Sequence, residues 1–268
     1  MLFLGLLLSF GPTDRVIAVD VQPLGLDGDP ERGEFLARNV LDCDSCHGSD
    51  FSGGVPVDGF PMGRLVAPNL TPAGVGSAYG EEDWVRAVRH GVALDGRPLV
   101  FMWAAEWQHL TAEDLADLVA YLESLPPAAS ELPKQKLGPV GKKLVKDGVW
   151  LQVDAVDHEA PIPRAANVER GRYLAEVAGC HGCHGVDWTG LNLGPGKPRA
   201  ANLTPHADGL RDWTEDDFLR LMRQGQRPDG SSVDPAMPWE GTTAIWDDED
   251  LMALFAYLRT LEPLPTPD

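Results

Sequence analysis

Cys43-Asp44-Ser45-Cys46-His47 is matched by Cys180-His181-Gly182-Cys183-His184, and these two runs use all four cysteines of the 268-residue chain. Cys-x-x-Cys-His is the pattern through which c-type haem is attached. Two thiols three positions apart on one turn can add across the two vinyl groups of a single porphyrin. The histidine that follows is then placed to ligate the iron. A zinc site would bring its second cysteine pair within about 15–20 residues, whereas Cys46 and Cys180 lie 134 positions apart. A thioredoxin-like pair would need a βαβ context, which the sequence lacks. The expectation is two haem c groups, covalently held through Cys43 and Cys46 and through Cys180 and Cys183, with His47 and His184 as iron ligands.

Working outward from these runs, the chain overlays itself at an offset that drifts only between 133 and 138 residues. Arg32-Gly33-Glu34-Phe35-Leu36-Ala37 lies over Arg170-Gly171-Arg172-Tyr173-Leu174-Ala175. Pro68-Asn69-Leu70-Thr71-Pro72 lies over Ala201-Asn202-Leu203-Thr204-Pro205, and Met102-Trp103 over Met237-Pro238-Trp239. The run from Glu113 to Leu122 lies over that from Glu249 to Leu258. The chain therefore reads as two copies of one unit.

Each copy reads as helical. Asp29-Pro30-Glu31 gives an N-cap followed by proline at the first helical position. A middle helix carries Trp84, Val85 and Val88 in one copy and Phe218, Leu221 and Met222 in the other. The last helix opens at Thr111 or Asp247, each with an aspartate three positions on, which resembles a capping box. Leu115, Leu118, Val119 and Leu122 recur at helical spacing, as do Leu251, Leu254, Phe255 and Leu258. Gly- and Pro-rich loops run between the helices and suit a backbone that wraps a flat cofactor. The predicted fold class is all-α, a tandem repeat of two domains with a few helices around one haem each. The expected organisation is an apolar N-terminal segment at 1–28, domain 1 at 29–125, a linker at 126–166 and domain 2 at 167–268. In the linker, Val149-Trp150-Leu151 is expected to dock onto a domain, as a short strand.

The run Leu2 to Phe10 is apolar but only nine residues long, too short to span a bilayer. It lacks a preceding Lys or Arg and a clear cleavage site, so a truncated signal or anchor and a buried apolar segment both stand. The formal charge of −19 is uneven, with −13 over residues 1–133, +2 over 134–166 and −8 over 167–268. Nucleic acid and anionic membrane surfaces are poor partners for such a balance, whereas a redox protein with a basic docking face could be steered in.

One histidine leaves the far side of each iron open, and what fills it separates a carrier from a catalyst. Methionine raises the potential and closes the site. Met102 and Met237 sit at equivalent positions, 55 and 53 residues after His47 and His184, on loops before the last helix. Met222 and Met252 fall on apolar helix faces, and Met62 has no counterpart in the second copy. Met102 and Met237 are thus the candidate axial ligands. A core role for Met102 stays open, as does ligation by His90 or His109, which read as surface residues. His181 is expected to face solvent. Asn69 and Asn202, in matching Asn-Leu-Thr-Pro turns, could hold the loop or bond a haem propionate.

With these residues in view, residues 29–125 and 167–262 resemble the class I di-haem cytochromes c. The Arg-Gly-Glu-Phe-Leu-Ala and Arg-Gly-Arg-Tyr-Leu-Ala runs look like that family's first helix, whose glycine crosses closely against a last helix bearing Tyr121 or Tyr257. The Asn-Leu-Thr-Pro turns and the Asp-Gly…Met segments are similar to those of the membrane-associated cytochrome subunits of bacterial alcohol, aldehyde and sugar-acid dehydrogenases. Those subunits typically carry three haems, whereas this chain has motifs for two. The resemblance implies a periplasmic or otherwise extracytoplasmic electron carrier between a donor dehydrogenase and an acceptor oxidase or cytochrome of a respiratory chain. It implies membrane association through a partner or an N-terminal anchor. The alternative is a di-haem enzyme, a peroxidase or a sulfur-compound dehydrogenase, with one open or switchable haem and His109 or Glu106 as a distal acid or base.

Overall fold

A computed structural model describes residues 13–165, 169–194, 196–240, 243 and 246–267. The apolar run Leu2 to Phe10 lies outside the described residues, as do Asn167 and Val168 at the expected start of domain 2. The elements in chain order are α1 (Pro30–Phe35), α2 (Cys43–His47), β1 (Gly54–Gly59), β2 (Gly63–Ala67), α3 (Glu81–His90), α4 (Ala104–Trp107), α5 (Ala112–Ser124), β3 (Lys136–Leu137), α6 (Pro139–Lys146), α7 (Arg170–Val177), α8 (His181–His184), α9 (Glu215–Gln224) and α10 (Asp248–Leu258). The chain forms two compact units. One comprises the spans Met1–Asp27, Ser45–Gln108 and Leu122–Pro161, and the other Gly28–Asp44, His109–Tyr121 and Ile162–Asp268.

The helix ends follow from the capping residues. Asp29 accepts from the Glu31 N–H at 2.9 Å, with Pro30 at the first helical position of α1. The α5 start is held by Thr111 Oγ1 accepting from Asp114 N at 3.2 Å, and α10 by Asp247 accepting from Asp250 N at 2.6 Å. Thr214 and Asp217 form a reciprocal box at the start of α9. The middle helices α3 and α9 are ten residues each and end on Gly91 and Gly225, with φ of 64° and 63°. Such a left-handed C-terminal residue is what glycine accommodates without Cβ strain.

One difference between the copies is visible in the first helix. Ten positions separate Gly33 from Cys43, but nine separate Gly171 from Cys180. The extra residue is taken up by a π-helical turn, Leu36–Val40, that continues α1.

The all-α expectation needs correction, because the first unit also holds a three-stranded antiparallel sheet in the order β1-β2-β3. β1 and β2 form a hairpin with Val57 opposite Leu65 and Asp58 opposite Arg64, and β3 adds Lys136 beside Arg64. This hairpin occupies what reads in sequence as a Gly- and Pro-rich loop. Leu65 and Ala67 turn inward while Arg64 and Asp58 pair at 2.9 Å on the outer side, which is the two-residue period of a half-buried strand.

The core of this unit joins Val92, Val145, Trp150, Leu151 and Val153, with Ile17, Met62, Phe101 and Leu137 packed against them. Trp150 therefore docks the linker, as expected, but not as a strand: its carbonyl accepts from Phe101 N at 2.7 Å and its ring meets the Phe101 ring edge-on. The linker strand lies earlier, at β3. Met62 packs on this core, and Met222 is buried on α9.

In the second unit α7 packs on α10, and Leu174, Leu251, Leu254 and Leu258 are buried between them. Gly171 is the contact point: a Cβ there would fall 1.9 Å from the Ala253 carbonyl oxygen. Gly33 on α1 has the same relation to α5, with the Asp117 carbonyl oxygen 2.0 Å from such a Cβ. Arg170 makes a bidentate pair with Asp250 at 2.6 and 2.8 Å, and the buried Tyr173 hydroxyl donates to Asp114.

Candidate haem sites

α2 and α8, the latter with Cys180 as its N-cap, carry the Cys-x-x-Cys-His runs as short helical turns, so the thiols of each pair lie three positions apart on one turn. The turns end in the same way. Gly48 and Gly185, directly after the histidines, both have φ of 80°, and Phe51 and Trp188 are left-handed at 57° and 62°. Gly53 N donates to the His47 carbonyl at 2.8 Å, and Gly190 N to the His184 carbonyl at 2.8 Å. Phe51 is fully buried, and its carbonyl accepts from Leu70 N; the Trp188 carbonyl accepts from Leu203 N. These bonds bring the Asn-Leu-Thr-Pro turn alongside the histidine in both copies.

The consequence is a fixed imidazole. His47 Nδ1 lies 2.9 Å from the Pro68 carbonyl oxygen and His184 Nδ1 lies 2.7 Å from that of Ala201. A carbonyl can only accept, so Nδ1 bears the proton and the lone pair sits on Nε2. A metal-ligating histidine is typically oriented by this kind of second bond. Burial pushes both imidazoles below the ordinary histidine range, favouring the neutral, ligating form. Burial also pushes the Cys180 thiol up to about 11.

Asn69 and Asn202 are the residues that hold these turns. Asn69 Oδ1 accepts from Thr71 N at 2.9 Å and Thr71 Oγ1 at 2.7 Å, while its Nδ2 donates to the Ala128 carbonyl at 2.7 Å and to Ser130 Oγ. Asn202 repeats this with Thr204, the Leu264 carbonyl at 2.9 Å and Thr266 Oγ1. Each asparagine thus ties the turn to the segment following the last helix of its copy. Both side-chain ends are engaged within the chain, which is the loop-holding role; a propionate contact would have to compete with these bonds.

The methionine loops share one backbone hydrogen bond. The Met102 carbonyl accepts from Ala104 N and the Met237 carbonyl from Trp239 N, each at 2.9 Å. A Cβ on Gly91 would meet the Ala104 Cβ, and one on Gly225 would meet the Trp239 ring. By these contacts Ala104, and not Trp103, stands where Trp239 stands in the second copy. Both methionines are half-buried.

Among the other candidates, His90 is 3% exposed, not a surface residue. Its Nδ1 lies 3.1 Å from His158 Nδ1, and His158 Nε2 lies 3.1 Å from the Val153 carbonyl. That carbonyl makes His158 Nε2 the protonated nitrogen, so His90 Nδ1 donates to His158 and His90 Nε2 faces Arg89 at 3.5 Å. Sequence reasoning missed this cluster because His158 lies in the linker, and only the fold joins it to α3. His109 is exposed and 3.9 Å from Glu176. Glu106 is buried on α4. His181 is half-buried, its ring edge-on to Trp188. His206 pairs with Asp208.

The residues present fit covalent haem. Each copy offers two thiols on a turn, an imidazole with its lone pair free at Nε2, and a methionine loop in matching conformation. In addition, Trp84 Nε1 and Arg89 Nε are buried without an acceptor among the described residues. Buried donors of this kind suit a group that brings its own carboxylates, as haem does with its propionates.

Comparison with known proteins gives the class. The family model described as cytochrome c matches residues 31–126 and 168–262, and the chain belongs to that family. It is an electron-transfer cytochrome with two haem c groups. A diheme cytochrome c-type protein of Cereibacter sphaeroides is 29% identical over 265 residues, covering 88% of this chain and 86% of that protein. The cytochrome c subunit of an alcohol dehydrogenase (quinone) from Gluconacetobacter polyoxogenes is 29% identical over 270 residues, but this chain spans only 56% of its length. The gluconate 2-dehydrogenase cytochrome c subunit of Pantoea cypripedii is 38% identical over 101 residues, 34% of this chain and 22% of that subunit. Among the described residues, no helix is long and apolar enough to cross a membrane.

Proposed function

We propose that the chain is an extracytoplasmic one-electron relay in which each matched stretch forms one haem domain and both irons are ligated by histidine and methionine. The ligand pairs are His47 with Met102 and His184 with Met237. When bound, haem supplies reversible ferric–ferrous chemistry. The protein's part would be to offer one histidine and one methionine to each haem iron and so exclude other ligands. Pro68 and Ala201 orient the imidazoles through their carbonyls, and Asn69 and Asn202 hold those carbonyls in place.

The observation that carries this reading is the matching orientation of His47 and His184, each bonded through Nδ1 to a backbone carbonyl. The same tautomer, a carbonyl partner at the equivalent position (Pro68 or Ala201) and the same following turn recur in both copies. A catalyst with one switchable haem would be better served by two unlike sites. Methionine on the far side leaves no position for substrate and raises the potential. The donor is proposed to be a dehydrogenase, as the names of the relatives suggest, and the acceptor an oxidase or another cytochrome of a respiratory chain. The test is the EPR spectrum of the oxidised haem-loaded protein and the optical spectrum of the reduced protein with and without carbon monoxide. Two low-spin irons unmoved by the ligand support the relay; an iron that binds carbon monoxide overturns it.

A further inference from the structure

The charge of this acidic chain has one strong exception. Five of its six lysines lie between Lys134 and Lys146, a segment that contains no acidic residue. α6 shows how they are arranged. Gly141 and Val145 are buried, while Pro139, Lys142, Lys143 and Lys146 are exposed at i, i+3, i+4 and i+7 spacing, a single outward stripe. Lys143 is bonded to Asp147; among the described residues no ion pair joins Lys134, Lys136, Lys142 or Lys146. Lys136 on β3 is exposed beside Arg64, whose charge is met by Asp58.

An apolar tip adjoins this stripe. Phe60, at the turn of the β1–β2 hairpin, is 91% exposed. The tip is fastened to the start of α6: the Pro61 carbonyl accepts from Val140 N at 3.1 Å and that of Met62 from Gly138 N at 2.8 Å. Gly141 lets the helix lie flat on it, since a Cβ there would fall 2.3 Å from the Met62 carbonyl oxygen. Val140 and Val149 are exposed near the two ends of α6. The second copy has no equivalent of the hairpin or of α6 among the described residues.

Although the net charge of the whole chain disfavours an anionic membrane, we propose that the Phe60 hairpin tip and the lysine face of α6 form a local docking surface for one. Lysine is depleted from protein–protein interfaces, where arginine is preferred, whereas lysines near a bilayer are attracted by anionic headgroups and lose little of their hydration. An exposed aromatic tip fastened beside a lysine-bearing helix face is the composition of an interfacial anchor. The remaining acidic surface would be repelled by the same lipid, so the patch also orients the molecule, with α6 towards the membrane.

The experiment uses the haem-loaded full chain and sedimentation with vesicles of phosphatidylcholine alone or with one third phosphatidylglycerol. Binding is expected only to the anionic vesicles and should be reversed by high salt. The triple variant Lys142→Gln, Lys143→Gln, Lys146→Gln should partition on the order of a hundredfold more weakly, at roughly a factor of five per lysine. Phe60→Ser should weaken binding while leaving the salt response in place. Unchanged binding in both variants would assign attachment to another part of the chain and overturn the proposal. So would failure of the wild type to bind anionic vesicles, whether or not an acidic protein binds the same lysines. Haem absorbance spectra indistinguishable between wild type and variants show that the substitutions leave the fold intact.

Discussion

Gly171 sits so close to Ala253 that a methyl group in place of its hydrogen would fall 1.9 Å from the Ala253 carbonyl oxygen and 2.9 Å from Tyr257 Cβ. Gly33 repeats the relation with Asp117 and Tyr121, at 2.0 and 2.7 Å. These are backbone obstacles, which cannot move aside as a flexible side chain could. Gly171→Ala is therefore expected to force α7 and α10 apart and to cost about 2–3 kcal/mol, despite alanine's better helix propensity. Chemical denaturation of the wild type and the variant measures it; an unchanged or raised midpoint would refute the packing argument.

The His90–His158 contact predicts an acid-sensitive stability. Burial, with Arg89, His158 and Arg86 adding positive charge, lowers the His90 pKa to about 4. The unfolded chain takes up this proton near the ordinary histidine value of about 6.5. Between those values the unfolded state binds more protons, so stability is full above about pH 6.5 and declines as the pH falls towards 4. The expected loss is about 3 kcal/mol. His90→Gln copies the second copy, which has Gln224 at this position. Urea midpoints measured from pH 4 to 7 should show a steeper fall for the wild type than for the variant. Parallel curves would contradict the assignment.

Asn202 joins its turn to the C-terminal segment through Leu264 and Thr266. Asn202→Ala leaves the Leu264 carbonyl and the Thr204 N–H without these partners, at an expected cost of about 1–3 kcal/mol. Hydrogen exchange should show faster exchange at Leu264 and Thr266, whose amides bond to Thr204 and Asp208. Exchange confined to sites outside this turn would assign Asn202 another role.

The two haem c groups, the repeat and the helix caps were legible in the sequence because each leaves a local pattern. Cys-x-x-Cys-His, Asp29-Pro30 and the Thr111 and Asp247 starts all act within a few residues. The close glycine crossing was legible through resemblance and is realised at Gly33 and Gly171. The sheet was not legible. Pro56, Pro61 and four glycines from Gly53 to Gly63 give the hairpin a loop-like composition, and β3 comes from the linker some 70 residues on. His90 was misjudged as exposed because its burial depends on His158 and the Ala160 and Pro161 carbonyls that bind Arg89. Contacts between distant segments leave no periodic trace. The orientation of His47 and His184 through Pro68 and Ala201 was hidden for the same reason, although the Asn-Leu-Thr-Pro repeat marked the turns involved.

Axial ligation carries the functional reading, and single methionine variants test it site by site. With the haem-loaded wild type, Met102→Ala and Met237→Ala, the measurement is the low-temperature EPR spectrum together with the methionine-to-iron charge-transfer band near the red edge of the visible spectrum. The prediction is two low-spin irons in the wild type, with each variant losing about half of the band and gaining one iron that binds carbon monoxide. A wild type that already contains a high-spin iron binding carbon monoxide, unaffected by Met102→Ala, would contradict the account and leave an open haem in the first copy.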